Sequence, residues 1–252
     1  MKKIILVVII VIGFQLNAQK SIEKKIPIDN ATNISIDFPY ASFIDINTWA
    51  KDEVYIKATV TIDDGKLNDH FEFEVKKRLN TLYIEASYGK LFKKEKGFFS
   101  FLSNKDASTI IKIGNEENGN QNSVNGISIK TVYTIFVPQN LNVELNSNSA
   151  NVTIPLFDGN LVTDIISGTI QVGTHHGDMT LKTVSGSITI KIDATDAIDA
   201  KTTLGNIFKK GQIPKLIIGE KIVGSFATRN LSNENHAIIL STITGDIHLS
   251  DE

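Results

Sequence analysis

The sequence of 252 residues contains no cysteine. A disulfide framework, a thiolate nucleophile and a lipid anchor on an N-terminal cysteine are therefore all excluded. Arginine occurs only at Arg78 and Arg229. Because paired guanidinium contacts hold phosphates and carboxylates most firmly, clamps of that kind are scarce in this chain.

An excess of positive charge is also lacking. The chain has 26 basic and 28 acidic residues and a formal net charge of −2. Removal of an N-terminal segment that contains Lys2 and Lys3 would make the net charge of the chain more negative. General nucleic-acid binding depends on a basic surface, so this class of function is not expected.

Long apolar runs are absent except at the N-terminus. Lys2 and Lys3 precede an uncharged apolar run at residues 4–14, and a small residue stands at Ala18. This pattern is typical of a signal peptide, and the run is shorter than the roughly 20 residues that span a membrane as a helix. We predict a signal peptide at residues 1–18, cleavage after Ala18, and export to the periplasm or the cell surface as a protein that is not a lipoprotein.

A helical pattern is missing as well. No window of the predicted mature chain has a convincing apolar period of 3.6 residues with capping residues, whereas several segments alternate or are rich in β-branched and aromatic residues. The predicted strands of the N-terminal half are ISIDF at 34–38, VYIKATV at 54–60, FEFEV at 71–75, LYIEA at 82–86 and VYTIFV at 132–137. The predicted class is all-β.

The C-terminal half contains a repeat marked by small residues. The anchors, at steps of 18, 18, 19 and 40 residues, are Ala150, Gly168, Gly186, Gly205 and Gly245. Apolar residues recur seven positions before each anchor, at Val143, Leu161, Met179, Ile198 and Ile238. They also recur two positions after, at Val152, Ile170, Ile188, Ile207 and Ile247, and mostly four positions after, at Ile154, Val172, Ile190, Lys209 and Leu249.

Registration of this kind predicts a β-solenoid with rungs of about 18–20 residues. Glycine suits a sharp bend in a stacked coil, and the last step of 40 residues is interpreted as two rungs with a degenerate one near Gly224. One position after the anchors stand Asn151, Thr169, Ser187, Asn206 and Asp246, which are expected to form an exposed ladder of side-chain hydrogen bonds. We expect a single domain at residues 19–252, with irregular coils at 27–138 and regular rungs at 139–250.

The irregular half has a long insertion at residues 87–126. Its first part combines lysines with apolar residues, namely Lys93, Lys94, Lys96, Phe98, Phe99, Phe101 and Leu102. One interpretation is that these rings cover an open end or side of the solenoid; the other is that the segment contacts a membrane or a partner. Its second part, GNEENGNQNSVNG, has little to bury and is expected to be a mobile loop.

The rungs TDIISGTIQV, LKTVSGSITI and ILSTITGDIHL resemble the bacterial putative adhesin family, and so does the N-terminal stretch IDFPYASFIDINTWAKDEVYIKATV. The resemblance covers residues 34–250, without the insertion. It implies a right-handed parallel β-helix and an envelope or surface protein without known catalytic activity, so no catalytic residue is carried over.

No group of residues in the sequence predicts a catalytic, cofactor-binding or metal site. His175 and His176 point to opposite sides of a strand, so the sequence THHGD is interpreted as a polar turn. Arg229 has no evident partner. The carboxylates that a polysaccharide-active enzyme would need do not share one position of the repeat; they are Asp164, Asp178, Asp193 and Asp246.

The expected function is therefore non-enzymatic, as an adhesin or envelope interaction module with a protein or glycan partner on a surface. A polysaccharide-active β-helix enzyme and a passive, envelope-stress-associated structural module are the alternatives.

Overall fold

The computed structural model describes residues 19–91, 111–114, 121–124, 126–230 and 236–251. In this part of the chain 19 strands join into one large mixed sheet, without an α-helix. Helical geometry is confined here to two 3-10 turns, Asn68–His70 and Gly89–Leu91. The predicted all-β class is confirmed, and no helix of the described chain is long and apolar enough to span a membrane.

The strands of the N-terminal half overlap all five predicted segments. They are β1 Lys20–Pro27, β2 Asn33–Asp37, β3 Tyr40–Trp49, β4 Glu53–Ile62, β5 Glu72–Arg78, β6 Thr81–Ser87, β7 Ile111–Gly114, β8 Gln121–Val124 and β9 Ile127–Pro138. Strand β8 lies within the segment that was expected to be a mobile loop, so at residues 121–124 the chain forms a strand instead. The backbone of residues 122–124 pairs there with β9.

The C-terminal half begins with one long bent strand and continues with short ones. They are β10 Leu141–Ser167, β11 Ile170–His176, β12 Met179–Ser185, β13 Ile188–Lys191, β14 Asp196–Thr202, β15 Ile207–Lys210, β16 Ile217–Glu220, β17 Ser225–Arg229, β18 His236–Thr244 and β19 Ile247–Ser250.

Strand pairing produces two ladders, which we call the first and the second ladder. The first ladder follows the order β5, β6, β2, β10, β12, β18, β14, β17, β16. The second follows the order β1, β4, β9, β3, β10, β11, β13, β19, β15. Because β10 takes part in both and pairs with β2 and β3 as well as β11 and β12, it joins the two halves of the chain.

The middle of each ladder is parallel and most of the ends are antiparallel. In the first ladder β5 is antiparallel to β6, and β17 is antiparallel to both β14 and β16. In the second ladder β4 is antiparallel to both β1 and β9, whereas β9 is parallel to β3. The second ladder ends at β15 in parallel pairing, on a four-residue strand that carries Lys209 and Lys210. Short, lysine-bearing edge strands discourage edge-to-edge association.

The core lies on the inward side of these strands, where apolar residues recur at alternate positions. All residues predicted seven before or two after the anchors are buried. Four positions after the anchors, only Lys209 departs from the pattern, and it is exposed on the terminal strand β15. The N-terminal part of the core contains the stacked rings of Phe38 and Tyr133, whose centroids are 4.1 Å apart.

The order of the rungs in space differs from their order in the chain. Ile238 of β18 lies beside Met179 of β12 on one side and beside Ile198 of β14 on the other. Strands β18 and β19 are thus inserted between rungs that precede them in sequence. The interpretation of residues 205–245 as two further stacked rungs is wrong: after β15 the chain leaves the repeat, forms the hairpin β16–β17 against β14, and then returns.

Candidate functional site

An open groove runs across the outward face of the second ladder. Because side chains alternate along a strand, the residues next to the buried apolar ones point outward. Three positions after each anchor, the paired strands place Thr153, Gln171, Thr189, His248 and Phe208 side by side in that order. The chain therefore presents one row of hydroxyl, amide and ring groups that crosses five strands.

A second outward row lies beside the first, five positions after the anchors. It is lined by Pro155, Gly173, Lys191, Ser250 and Lys210. A Cβ at Gly173 would come within 2.4 Å of the Pro155 carbonyl oxygen, so the backbone approaches too closely there for a side chain. We call the space over the two rows the ladder groove; it is open to solvent and its volume is about 710 Å³.

The charge of the ladder groove is positive. Lys191 and Lys210 point outward in its second row, and none of the described lining residues is acidic. The nearby Asp251 turns its carboxylate to the backbone, where Oδ2 accepts the Gln212 N–H at 2.6 Å. The groove is therefore a cationic region on a chain whose net charge is negative.

An aromatic platform closes the cationic end of the groove. The rings of Phe208 and His248 stack with centroids 5.1 Å apart and planes 14° apart. Phe208 is 47% exposed, and its ring stands at the edge of the second ladder. An exposed phenylalanine ring beside lysines offers a flat apolar face and positive charge to the same ligand.

The predicted hydrogen-bond ladder next to the anchors is confirmed. Asn151 Oδ1 accepts hydrogen bonds from the backbone and the hydroxyl of Thr169, at 3.1 and 3.0 Å. Further along, Asp246 N–H donates to Ser187 Oγ and Asp246 Oδ1 accepts the Asn206 N–H at 2.8 Å. These polar side chains hold neighbouring rungs together beside the groove.

The two adjacent histidines occupy different environments. His176 is exposed and its Nδ1 lies 2.5 Å from Asp158 Oδ1, and this hydrogen bond lowers the pKa of Asp158. His175 is buried, and its Nε2 lies 3.2 Å from Oδ2 of the buried Asp196. Within the described residues no three histidine or carboxylate side chains converge as a metal site.

Arg229 does have partners, contrary to the expectation from sequence. Its Nε donates to the Asp196 carbonyl at 2.8 Å and its Nη2 donates to the Asp193 carbonyl. Burial lowers the pKa of Arg229, and only 1% of the residue is exposed. Arg229 therefore fastens β17 to the start of β14 and does not line the groove.

The aspartates weighed as catalytic groups are scattered. Asp178 Oδ1 accepts the Ala237 N–H at 2.9 Å, which fastens neighbouring rungs, and Asp246 acts in the same way. Asp164 lies on the outward side of the first ladder beside Lys182, and burial raises its pKa. These carboxylates have structural partners at different places along the ladders.

The site residues predicted from sequence lie outside the described residues. They are Lys93, Lys94, Lys96, Phe98, Phe99, Phe101 and Leu102, and the predicted signal peptide at residues 1–18 lies outside as well. The groove residues themselves were not singled out. The signal was present, because the positions three and five after each anchor recur with the same spacing as the core positions.

Among solved structures, the fold is similar to that of a protein from Clostridium sporogenes named a "putative cell adhesion protein". The TM-score is 0.55 at 9% identity, and the alignment covers 92% of this chain and 99% of that one. A "putative adhesin" from Bacteroides fragilis gives a TM-score of 0.24 at 12% identity, covering 92% of this chain and 98% of that one. A "putative adhesin" from Parabacteroides merdae gives a TM-score of 0.25 at 13% identity, and the alignment covers 91% of this chain and 96% of that one.

The first likeness shows a shared overall fold, and the TM-scores of the other two are too low for a structural argument. No family model matches the sequence, and no curated protein matches it.

Proposed function

We propose that this chain is an exported, non-enzymatic protein of the cell envelope or cell surface that attaches to a protein or glycan partner through the ladder groove. The mature chain would be a single domain at residues 19–252. The observation that carries the proposal is the groove itself, which presents two rows of binding groups on paired strands without a converging acid–base pair.

The architecture we propose for this domain is a right-handed parallel β-helix. Its support is the stacking of residues 18 positions apart, as in Val152, Ile170 and Ile188, in consecutive parallel pairs. The fold shared with a protein named for cell adhesion is consistent with the proposed attachment function. Rigid strands suit attachment, because binding groups on a fixed scaffold lose little conformational freedom when a ligand binds.

Export has separate support in the sequence. The positively charged start, the apolar run at residues 4–14 and the small residue at Ala18 together favour a cleaved signal peptide. Protease treatment of intact producing cells tests the location: loss of the chain before the envelope is opened would indicate the cell surface. Protection until the envelope is opened would indicate the periplasm, and recovery of the chain with residues 1–18 in the cytoplasm would overturn export.

Attachment is tested with beads that carry the purified chain, applied to whole bacteria and to isolated envelope fractions. Wild-type beads are expected to bind, and Gln171→Trp, which fills the groove, is expected to reduce binding. Lys201→Trp is the matched control, because it places the same ring on an exposed position of β14 in the first ladder.

Failure of wild-type beads to bind, or equal loss in both variants, would overturn attachment through the groove. Release of unsaturated or reducing sugar ends from polysaccharides by the wild-type chain would overturn the non-enzymatic part of the proposal.

A further inference from the structure

The distribution of charge in the ladder groove favours one class of ligand. Its lining includes Lys191, Lys209 and Lys210, while acidic residues outnumber basic ones in the whole chain. Positive potential confined to a cleft attracts anions and repels cations over several ångströms. A ligand that fits this groove therefore carries negative charge.

Lys209 is the clearest departure from the repeat. At the equivalent position the other rungs have Ile154, Val172, Ile190 and Leu249, which are all buried. In register, Lys209 lies beside Leu249, at the end of the second ladder. An apolar residue there would have extended the core, so the lysine replaces packing with charge on the inward side of the terminal strand and protects the edge of the sheet. The next residue, Lys210, points to the outward side and lines the groove in the same row as Lys191.

The ring of Phe208 supplies the second element of recognition. It stacks on His248 and stays about half exposed. The apolar C–H face of a pyranose packs against flat aromatic rings, while its hydroxyl groups need hydrogen-bonding partners. Thr153, Gln171 and Thr189 offer such partners in a row that leads away from the ring.

The spacing of that row suits a repeating ligand. Neighbouring strands lie about 4.8 Å apart, a distance comparable with the length of one sugar unit. A linear glycan lying across the strands would meet a new polar side chain at each strand. The volume of about 710 Å³ accommodates a short oligosaccharide segment.

From these observations we infer that the ladder groove binds an anionic polysaccharide, such as a polyuronate, with its carboxylates at Lys191 and Lys210 and a sugar ring on Phe208. This inference rests on the proposed attachment function and names its ligand class. Nucleic acid is the other polyanion to consider, but the groove has no arginine, the residue whose planar fork binds phosphate groups best.

The test is a binding titration of the purified chain with oligogalacturonate at low salt, followed by the same titration at high salt. Neutral maltodextrin and single-stranded oligo-dT of matched length are the competing probes. We expect oligogalacturonate to bind, salt to weaken its binding, and both competing probes to bind at least about tenfold more weakly. Equal affinity for maltodextrin would overturn the role of charge, and equal or higher affinity for oligo-dT would overturn the choice of a polysaccharide.

Variants assign the binding to this groove. Lys191→Gln with Lys210→Gln is expected to weaken oligogalacturonate binding about tenfold or more, whereas Lys182→Gln with Lys201→Gln removes the same charge from the first ladder and should leave it unchanged. Phe208→Ala should weaken binding and Phe208→Tyr should restore it. Matching thermal unfolding curves confirm that each variant is folded.

Three outcomes would overturn the inference. One is equal weakening in the two lysine pairs. Another is unchanged binding by Lys191→Gln, Lys210→Gln protein together with a greater tendency to aggregate, which would assign the lysines to edge protection. The third is that the wild-type chain does not bind oligogalacturonate although its beads still attach to cells, which would retain the attachment function with a different ligand. If the wild-type chain neither binds oligogalacturonate nor attaches to cells, the proposed function is overturned as well.

Discussion

Glycine is required at the bends of the repeat because the neighbouring rung occupies the space that a side chain would take. A Cβ on Gly186 would lie 1.9 Å from the Gly168 carbonyl oxygen, and a Cβ on Gly245 would lie 2.1 Å from that of Gly186. Gly186 also has φ +147°, which L residues rarely adopt. The sequence position of these bends was predictable for this reason. Ala150, which departs from glycine, lies where the pairing with β3 shifts register.

We therefore expect Gly186→Ala to lower the free energy of unfolding by about 2–4 kcal/mol. Gly126→Ala is the control, because Gly126 has φ +81° but no atom within 4 Å of its added Cβ; its cost should be about 1 kcal/mol. Urea denaturation of both variants measures the difference. Equal losses would mean that backbone conformation alone, and not contact with the next rung, requires the glycine.

Asp37 is a residue whose ionised carboxylate is destabilised by its surroundings in the folded protein. Burial, followed by the neighbouring Glu85 and Glu144, raises its pKa from 3.8 to about 6. Since the folded protein then binds this proton more tightly than the unfolded chain does, the ionised group opposes folding at neutral pH. The opposition disappears as the pH falls through about 6 towards 4.

Asp37→Asn is accordingly expected to raise the free energy of unfolding at pH 7 by about 1–3 kcal/mol, with a smaller gain at pH 4.5. Urea denaturation at the two pH values measures it, with Asp199→Asn as a control at an exposed position on β14. A gain that is equal at both pH values, or a loss at pH 7, would contradict this explanation.

At the scale of elements, the strands were predictable and their neighbours were not. Alternating β-branched and aromatic residues define a strand locally, so all five N-terminal predictions coincide with observed strands. Which rung stacks on which depends on distant pairing between similar surfaces. The apolar pattern around Gly186 fits that around Gly245 as well as that around Gly205, and the sequence contains no signal that separates them.

The hairpin β16–β17 also escaped prediction, because one buried side chain fastens it. Arg229→Ala would leave the carbonyls of Asp193 and Asp196 without their donor, so we expect a loss of about 3–5 kcal/mol in the free energy of unfolding. Arg229→Lys should recover little, since an ammonium group lacks the planar fork. The exposed Arg78 on β5 provides the control, and Arg78→Ala should leave the midpoint of urea denaturation unchanged. An equal shift of the midpoint in both alanine variants would show that the buried contacts of Arg229 contribute nothing to stability.

For the whole molecule, the ladder groove was partly predictable. Its rows follow from the repeat, because positions three and five after an anchor must face away from the core. The placement of His248 between Thr189 and Phe208 follows from the insertion of β19 between β13 and β15. The composition of the groove therefore depends on the strand order that the sequence does not indicate.

The same insertion makes residues 236–251 indispensable to both ladders. A chain that ends at Asn230 would leave β12 and β14 without their shared neighbour, so we expect it to show no cooperative unfolding transition. A simple stacked array would lose only its last rung and stay folded. Adding a peptide of residues 231–252 should restore the transition, as measured by circular dichroism during urea titration. A cooperative transition in the shortened chain alone would contradict the central position of β18 and β19.

This strand order also bears on biosynthesis. Of the described strands, β18 and β19 leave the ribosome last, yet they pair in the interior of both ladders. Until they emerge, β12 to β15 carry open edges that could pair with the same segment of another copy. We therefore expect exchange of this segment between two chains to be a route of misassembly. Completion of the fold therefore waits for synthesis to reach residue 251.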